Sequence, residues 1–289
     1  LLEHMLFKGT ATVGTMDFEA EQAFLEREDE LAEAMRALRI ELQPWRYEMF
    51  QEDATSIIAD LSEADREAVG TDRALELELL IERLAERGPT EEMLEVPGLV
   101  EEGDTHYFNL YIQLLRNEMM LQDVMTEHRE LVVSNELWET YMNNGARMLN
   151  AGTSYDGTFY FAYLPSNRLE LFMLLEADRL ANAVFREFYT ERDVVAEERR
   201  MSENDPESML YESFMATAYS ACMYRSPVLG WMSDIQMTTR QDLQDYYDRY
   251  YAPNNALGIF IGDVTPEEIQ AFAEEYFAGI PRGEELPPL

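Results

Sequence analysis

Apolar positions recur at helical spacing through the first half of the chain. Leu31, Met35, Leu38 and Leu42 stand four, three and four residues apart amid dense charge, which predicts a long helix from about Phe18 to Leu42 with a heptad-like stripe. Pro44 stops it. Leu77, Leu80, Ile81 and Leu84 make a second amphipathic stripe, and a third helical stretch runs from about Tyr107 to Leu131. Gly70, Gly88-Pro89 and Pro97-Gly98 mark the breaks between them.

Beyond about Asn135 the pattern changes. Thr158 to Leu164 is rich in aromatic residues and bounded by Gly157 and Pro165, which predicts a strand. Arg168 to Leu180 is helical, with Leu171, Leu174 and Leu175 on its apolar side. Thr239 or a neighbour caps a helix reaching Tyr250. Ala256 to Ile261 is a short apolar run before Gly262-Asp263 and reads as a buried strand. Thr265-Pro266-Glu267-Glu268 combines a cap, a first-turn proline and a capping-box glutamate, so a helix starts there. Strands mixed with long helices predict an α+β fold: an antiparallel-rich sheet with helices packed on it, plus an inserted helical hairpin or bundle. The insertion is expected at residues 26–133, within one domain covering residues 1–289.

Charge narrows the partners. The formal net charge is −36 and the pI near 4.2, which argues against nucleic acid or an anionic membrane surface. Lys8 is the only lysine. Such a surface suits salt adaptation, and equally a compositional bias of the source genome. No run approaches the ~18 consecutive apolar residues of a membrane helix. A periplasmic or cell-envelope setting is favoured over the cytoplasm. The one cysteine, Cys222, rules out an internal disulfide framework and is read as a small buried hydrophobe. With three histidines in the chain, any metal site must lean on carboxylates. His106 and His128 are read as surface or packing residues rather than ligands.

Candidate chemistry lies in two short segments. Glu3-His4 is followed by an apolar pair and Lys8-Gly9-Thr10, like the tail of an H-x-x-E-H helix, in which two histidines four apart share one face and reach one ion. The adjoining glutamate can take a proton from a water. The first histidine of that pattern would stand just before Leu1, so the chain is expected to be a piece of a longer polypeptide. The second segment is Thr190 to Arg200. Glu191 and Glu198 lie seven residues, or two turns, apart and share a helix face, with Val194 and Val195 between them able to face the core. Taken singly, each segment is also what a solvated, charged helix face looks like.

Together with further motifs these segments resemble the insulinase/pitrilysin family of zinc metallopeptidases, the inverzincins. Gly-x-x-x-Leu-Asn-Ala-Gly-Thr-Ser-Tyr-Asp-Gly-Thr-Phe-Tyr from Gly145 to Tyr160 is similar to the family's substrate-side strand. Leu164-Pro165-Ser166-Asn167 with Leu169-Glu170-Leu171 resembles its next turn and helix. Tyr224 to Trp231 with Ser233-Asp234-Ile235 resembles the loop beyond the site, and Tyr250 to Asn255 leading to Gly262-Asp263-Val264 the closing connection.

The resemblance implies roles. Glu3 would be the general base, His4 the second zinc ligand, Glu198 the third, and Glu191 a carboxylate that orients the ligands from behind. Asn150, Ala151, Gly152 and Thr153 would offer a strand edge to an extended peptide, whose main-chain pairing gives affinity without demanding particular side chains. The implied cofactor is Zn2+ and the implied activity a metalloendopeptidase acting on peptides or unfolded segments. The implied partner is a second homologous domain or subunit. The chain as it stands is expected to be inactive. Cys222-Met223 depart from the His-Pro the family often carries, and the separation of 194 positions from His4 to Glu198 exceeds its usual spacing, as an insertion would cause. The alternative is a non-catalytic partner or scaffold subunit of such a peptidase.

Overall fold

The computed structural model describes residues 1–100 and 105–286. Residues 101–104 of the expected insertion, and 287–289, lie outside the described residues. The chain divides into two compact units, one of Leu1–Phe18 with Leu131–Leu289 and one of Glu19–Glu130.

The first unit opens with the short helix α1 (Leu2–Met5) and a loop to Phe18. Among the described residues the elements of the other unit are all helices: α2 (Phe18–Leu42), α3 (Pro44–Ala59), α4 (Glu63–Val69), α5 (Arg73–Arg87), α6 (Glu91–Glu95) and α7 (His106–His128). Both apolar stripes are buried as their spacing predicts. Leu31, Met35, Leu38 and Leu42 line the inner face of α2, and Leu77, Leu80, Ile81 and Leu84 that of α5. Phe50 of α3 stacks on Tyr111 of α7 with ring centroids 5.3 Å apart. Caps delimit these helices. Asp72 accepts from the backbone amides of Ala74 and Leu75 at the start of α5, and Ser62 and Thr90 do the same for α4 and α6.

The first unit resumes with α8 (Glu136–Asn143), β1 (Arg147–Thr153), β2 (Thr158–Tyr163), α9 (Leu169–Asn182), α10 (Phe188–Asn204), α11 (Pro206–Ala218), α12 (Met232–Met237), α13 (Arg240–Tyr250) and α14 (Pro266–Tyr276). Among the described residues the sheet is the antiparallel pair β1–β2, with Ala151 opposite Tyr160 and Thr153 opposite Thr158. The fold is α+β, a two-stranded antiparallel sheet with helices packed around it. Leu137, Tyr141, Ala146, Leu149 and Leu175 form a core joining α8, β1 and α9, with Phe7 packed against it. A second cluster sets Val195, Ala196 and Ile235 against Leu1. These clusters seat α1 between β1 and α10.

Three expectations are corrected. Ala256–Ile261 is not a strand and is not buried: Leu257, Ile259 and Ile261 are 85, 73 and 95% exposed. Among the described residues no strand pairs with this run, so its apolar side chains have no sheet to be buried in. Val194 is 41% exposed while Val195 is buried, because one helix face cannot turn both neighbours inward. Cys222 is exposed, at the start of a single 3-10 turn, Met223–Arg225, that buries nothing.

Candidate functional site

The loop after α1 is held by a buried guanidinium. Arg186, fully buried, donates from Nη1 to the carbonyls of Lys8 (2.9 Å) and Val13 (3.1 Å) and from Nη2 to that of Thr10 (2.9 Å). Gly9, at φ +100°, makes the tight turn possible, since a Cβ there would lie 2.1 Å from the Val13 carbonyl oxygen. With its ends so fixed, α1 turns Leu2 and Met5 into the core and leaves Glu3 and His4 partly exposed.

His4 faces α10. Its Nδ1 lies 3.3 Å from Glu191 Oε2, and its Nε2 lies 4.0 Å from Glu198 Oε1. The two-turn spacing thus brings both glutamates to one imidazole. The Glu191 carboxyl is held down at about 2, first by its bond to His4 and then by Lys8, against the burial that would raise it. Ionised near neutrality, Glu191 can only accept, so His4 Nδ1 donates to it and the Nε2 edge of the ring is turned toward Glu198.

The Lys8 ammonium lies 2.7 Å from Glu191 Oε1 and 3.0 Å from Glu187 Oε2. Burial alone would lower the Lys8 pKa; the hydrogen bonds and charges of Glu191 and Glu187 more than offset it and raise it. Glu187, just ahead of α10, has a left-handed backbone (φ 58°). Sequence reasoning missed Lys8, Arg186 and Glu187. The single lysine of the chain was the one available signal for the first.

Glu3 points the other way along α1, to the end of β1, where it accepts a hydrogen bond from the Thr153 hydroxyl. The structure therefore brings Glu3 and Thr153 together, and His4, Glu191 and Glu198 together. Asn150, Ala151 and Gly152 lie on β1, whose only partner strand among the described residues is β2. The Ala151 amide donates to the Asn150 side-chain oxygen (2.9 Å), a local bond that an incoming strand can replace.

A cation fits the donors at His4 and Glu198. Two ligands held at ~2.1 Å in a tetrahedral site stand about 3.4 Å apart, close to the 4.0 Å seen between them. An imidazole whose other nitrogen is fixed by a carboxylate is also the usual state of a metal-binding histidine. Among the described residues no group of three or more His, Cys, Asp or Glu side chains is arranged to hold one ion. The pair supplies two donors.

The family described as "Insulinase (Peptidase family M16)" matches residues 117–230, and "Peptidase M16 inactive domain" matches residues 238–289. The chain belongs to the insulinase family of peptidases. It is similar to a zinc protease, PqqE, of Helicobacter pylori, at 36% identity over 45% of this chain and 30% of the relative. It is also similar to a probable mitochondrial-processing peptidase subunit beta of Schizosaccharomyces pombe, at 29% identity over 50% of this chain and 32% of that one. The crystal structure of a protease from Helicobacter pylori superposes with a TM-score of 0.51 at 33% identity, covering 53% of this chain and 38% of that chain. The insulinase-family chain described here thus aligns with about a third of the length of its curated relatives. No helix among its described residues is long and apolar enough to cross a membrane.

Proposed function

We propose that this chain carries part of the catalytic centre of a zinc metalloendopeptidase. The observation that carries the reading is the approach of His4 Nε2 to Glu198 Oε1 at 4.0 Å while Glu191 fixes the other ring nitrogen. His4 and Glu198 hold the zinc and Glu191 orients the imidazole. Zinc, when bound, supplies Lewis-acid polarisation of the scissile carbonyl and acidifies water. Glu3 accepts the proton of the attacking water and passes it to the leaving amine. The exposed end of β1, from Asn150 to Thr153, aligns an extended peptide or unfolded segment beside Glu3, because the hydroxyl of Thr153 already meets that carboxylate. A second homologous domain or subunit closes the site. We read residues 26–133 as an acidic helical insertion, a reading supported by the compact helical unit of Glu19–Glu130.

The H-x-x-E-H pattern places a further histidine directly before Leu1. Calorimetric zinc titration of three proteins tests the assignment: the 289-residue chain, a version extended by that one histidine, and the extended version with Glu198→Gln. The histidine should tighten zinc binding by at least about tenfold, and Glu198→Gln should reverse the gain. Equal affinity in all three would favour the second reading, a non-catalytic partner subunit. That reading draws support from a relative that is itself named a subunit.

A further inference from the structure

We propose that Lys8 is a positioning residue of this centre: its ammonium, braced by Glu187, holds Glu191 in the one orientation that turns the Nε2 edge of His4 toward Glu198. The proposal rests on the reading of His4 and Glu198 as metal donors and adds the device that aims them.

Both oxygens of Glu191 are engaged by different partners. Oε1 meets Lys8 at 2.7 Å and Oε2 meets His4 Nδ1 at 3.3 Å, so the carboxylate plane is fixed from two sides. Lys8 is held in turn by Glu187 at 3.0 Å. The Lys8, Glu187 and Glu191 side chains are 21, 19 and 17% exposed, so the contacts are less screened than surface ion pairs. Glu187 reaches Lys8 from a left-handed backbone that a non-glycine residue rarely adopts, and such a conformation persists only where its surroundings hold it.

The side chain of Lys8 is not what fastens the loop. Arg186 grips the backbone carbonyls of Lys8, Thr10 and Val13, a clasp that any residue at position 8 would keep. The lysine is therefore spent on the carboxylates. Remove its charge and the carboxylates of Glu187 and Glu191 stand with no lysine between them. Glu191 then loses the contact that opposes its rotation away from His4.

The test uses the full 289-residue chain, Lys8→Gln and Lys8→Arg. Side-chain 15N–1H correlation spectra of the metal-free proteins report the His4 tautomer, assigned with a His4→Gln control. Calorimetry reports zinc affinity, and urea titration reports folding. The wild-type ring should carry its proton on Nδ1. Lys8→Gln should mix the tautomers and weaken zinc binding by about tenfold or more, while Lys8→Arg, which keeps a cation in reach of both carboxylates, should restore both to within about threefold. Should Lys8→Gln prove unfolded, Glu187→Gln removes only the brace and should shift both readouts the same way. An unchanged tautomer and unchanged zinc affinity in folded Lys8→Gln overturn the proposal, as does a folded Lys8→Arg that behaves like Lys8→Gln. A tautomer that responds to Lys8 in a chain that binds no zinc leaves the positioning role standing and overturns the zinc reading instead.

Discussion

His128 sits with each ring nitrogen on a different carboxylate, Nδ1 at 2.7 Å from Glu28 and Nε2 at 3.0 Å from Glu21, and with Phe24 stacked on its face at 5.6 Å. All three ionisable side chains are buried. Burial would drag the imidazole pKa down; the bonds to Glu21 and Glu28 prevail and lift it to about 9 from the ordinary 6.5. A raised folded-state pKa makes the stabilisation complete below about pH 6.5 and removes it as pH rises through about 9. The unfolding free energy should therefore fall by about 3 kcal/mol between pH 6.5 and 9.5. Urea titrations across that range should show the fall in the wild type and a flat difference for His128→Gln. A wild type as flat as the variant would mean that the cluster carries no charge on its histidine. As a packing residue His128 was legible in the sequence. The burial of Glu21 and Glu28 was not, because a glutamate is ordinarily exposed and only the tertiary approach of α7 to α2 reveals the partner. The Glu191–Glu198 pair was legible from its two-turn spacing, whereas the Lys8–Glu187–Glu191 chain depends on a left-handed residue that no local pattern announces.

Elements whose ends carry their own chemistry were the readable ones. Thr239 and Thr265 form full capping boxes with Asp242 and Glu268, and α13 and α14 begin where those residues place them. The long α2 follows from its stripe, and β2 from its aromatic-rich run between Gly157 and Pro165. Residues 256–261 defeat the same reasoning, because an apolar run states a preference for burial and cannot supply the neighbouring strand that burial needs. The difference is measurable. With Leu257, Ile259 and Ile261 this exposed, replacing them with Ser, Thr and Ser should change stability by less than about 0.5 kcal/mol each. Losses of about 1 kcal/mol or more per residue in thermal unfolding would place the run in a core after all.

On the scale of the whole molecule, a chain with a net charge of −36 gathers carboxylates about one point, the short helix α1. Around it a single lysine organises carboxylates that would otherwise repel, and a buried arginine clasps the backbone of the loop that carries that lysine. The family was legible because its motifs are ordered along the chain, while the geometry linking Glu3-His4 to Glu191 and Glu198 spans nearly two hundred residues and needs the fold. The central claim is that His4 and Glu198 share one zinc ion. Anomalous diffraction at the zinc edge, from zinc-soaked crystals of the chain extended by one histidine, tests it most directly. The account predicts a single strong peak ~2.0–2.2 Å from His4 Nε2 and from a Glu198 oxygen, with His4 Nδ1 still on Glu191. Zinc bound elsewhere on the acidic surface, with Glu198 turned to solvent, would contradict it.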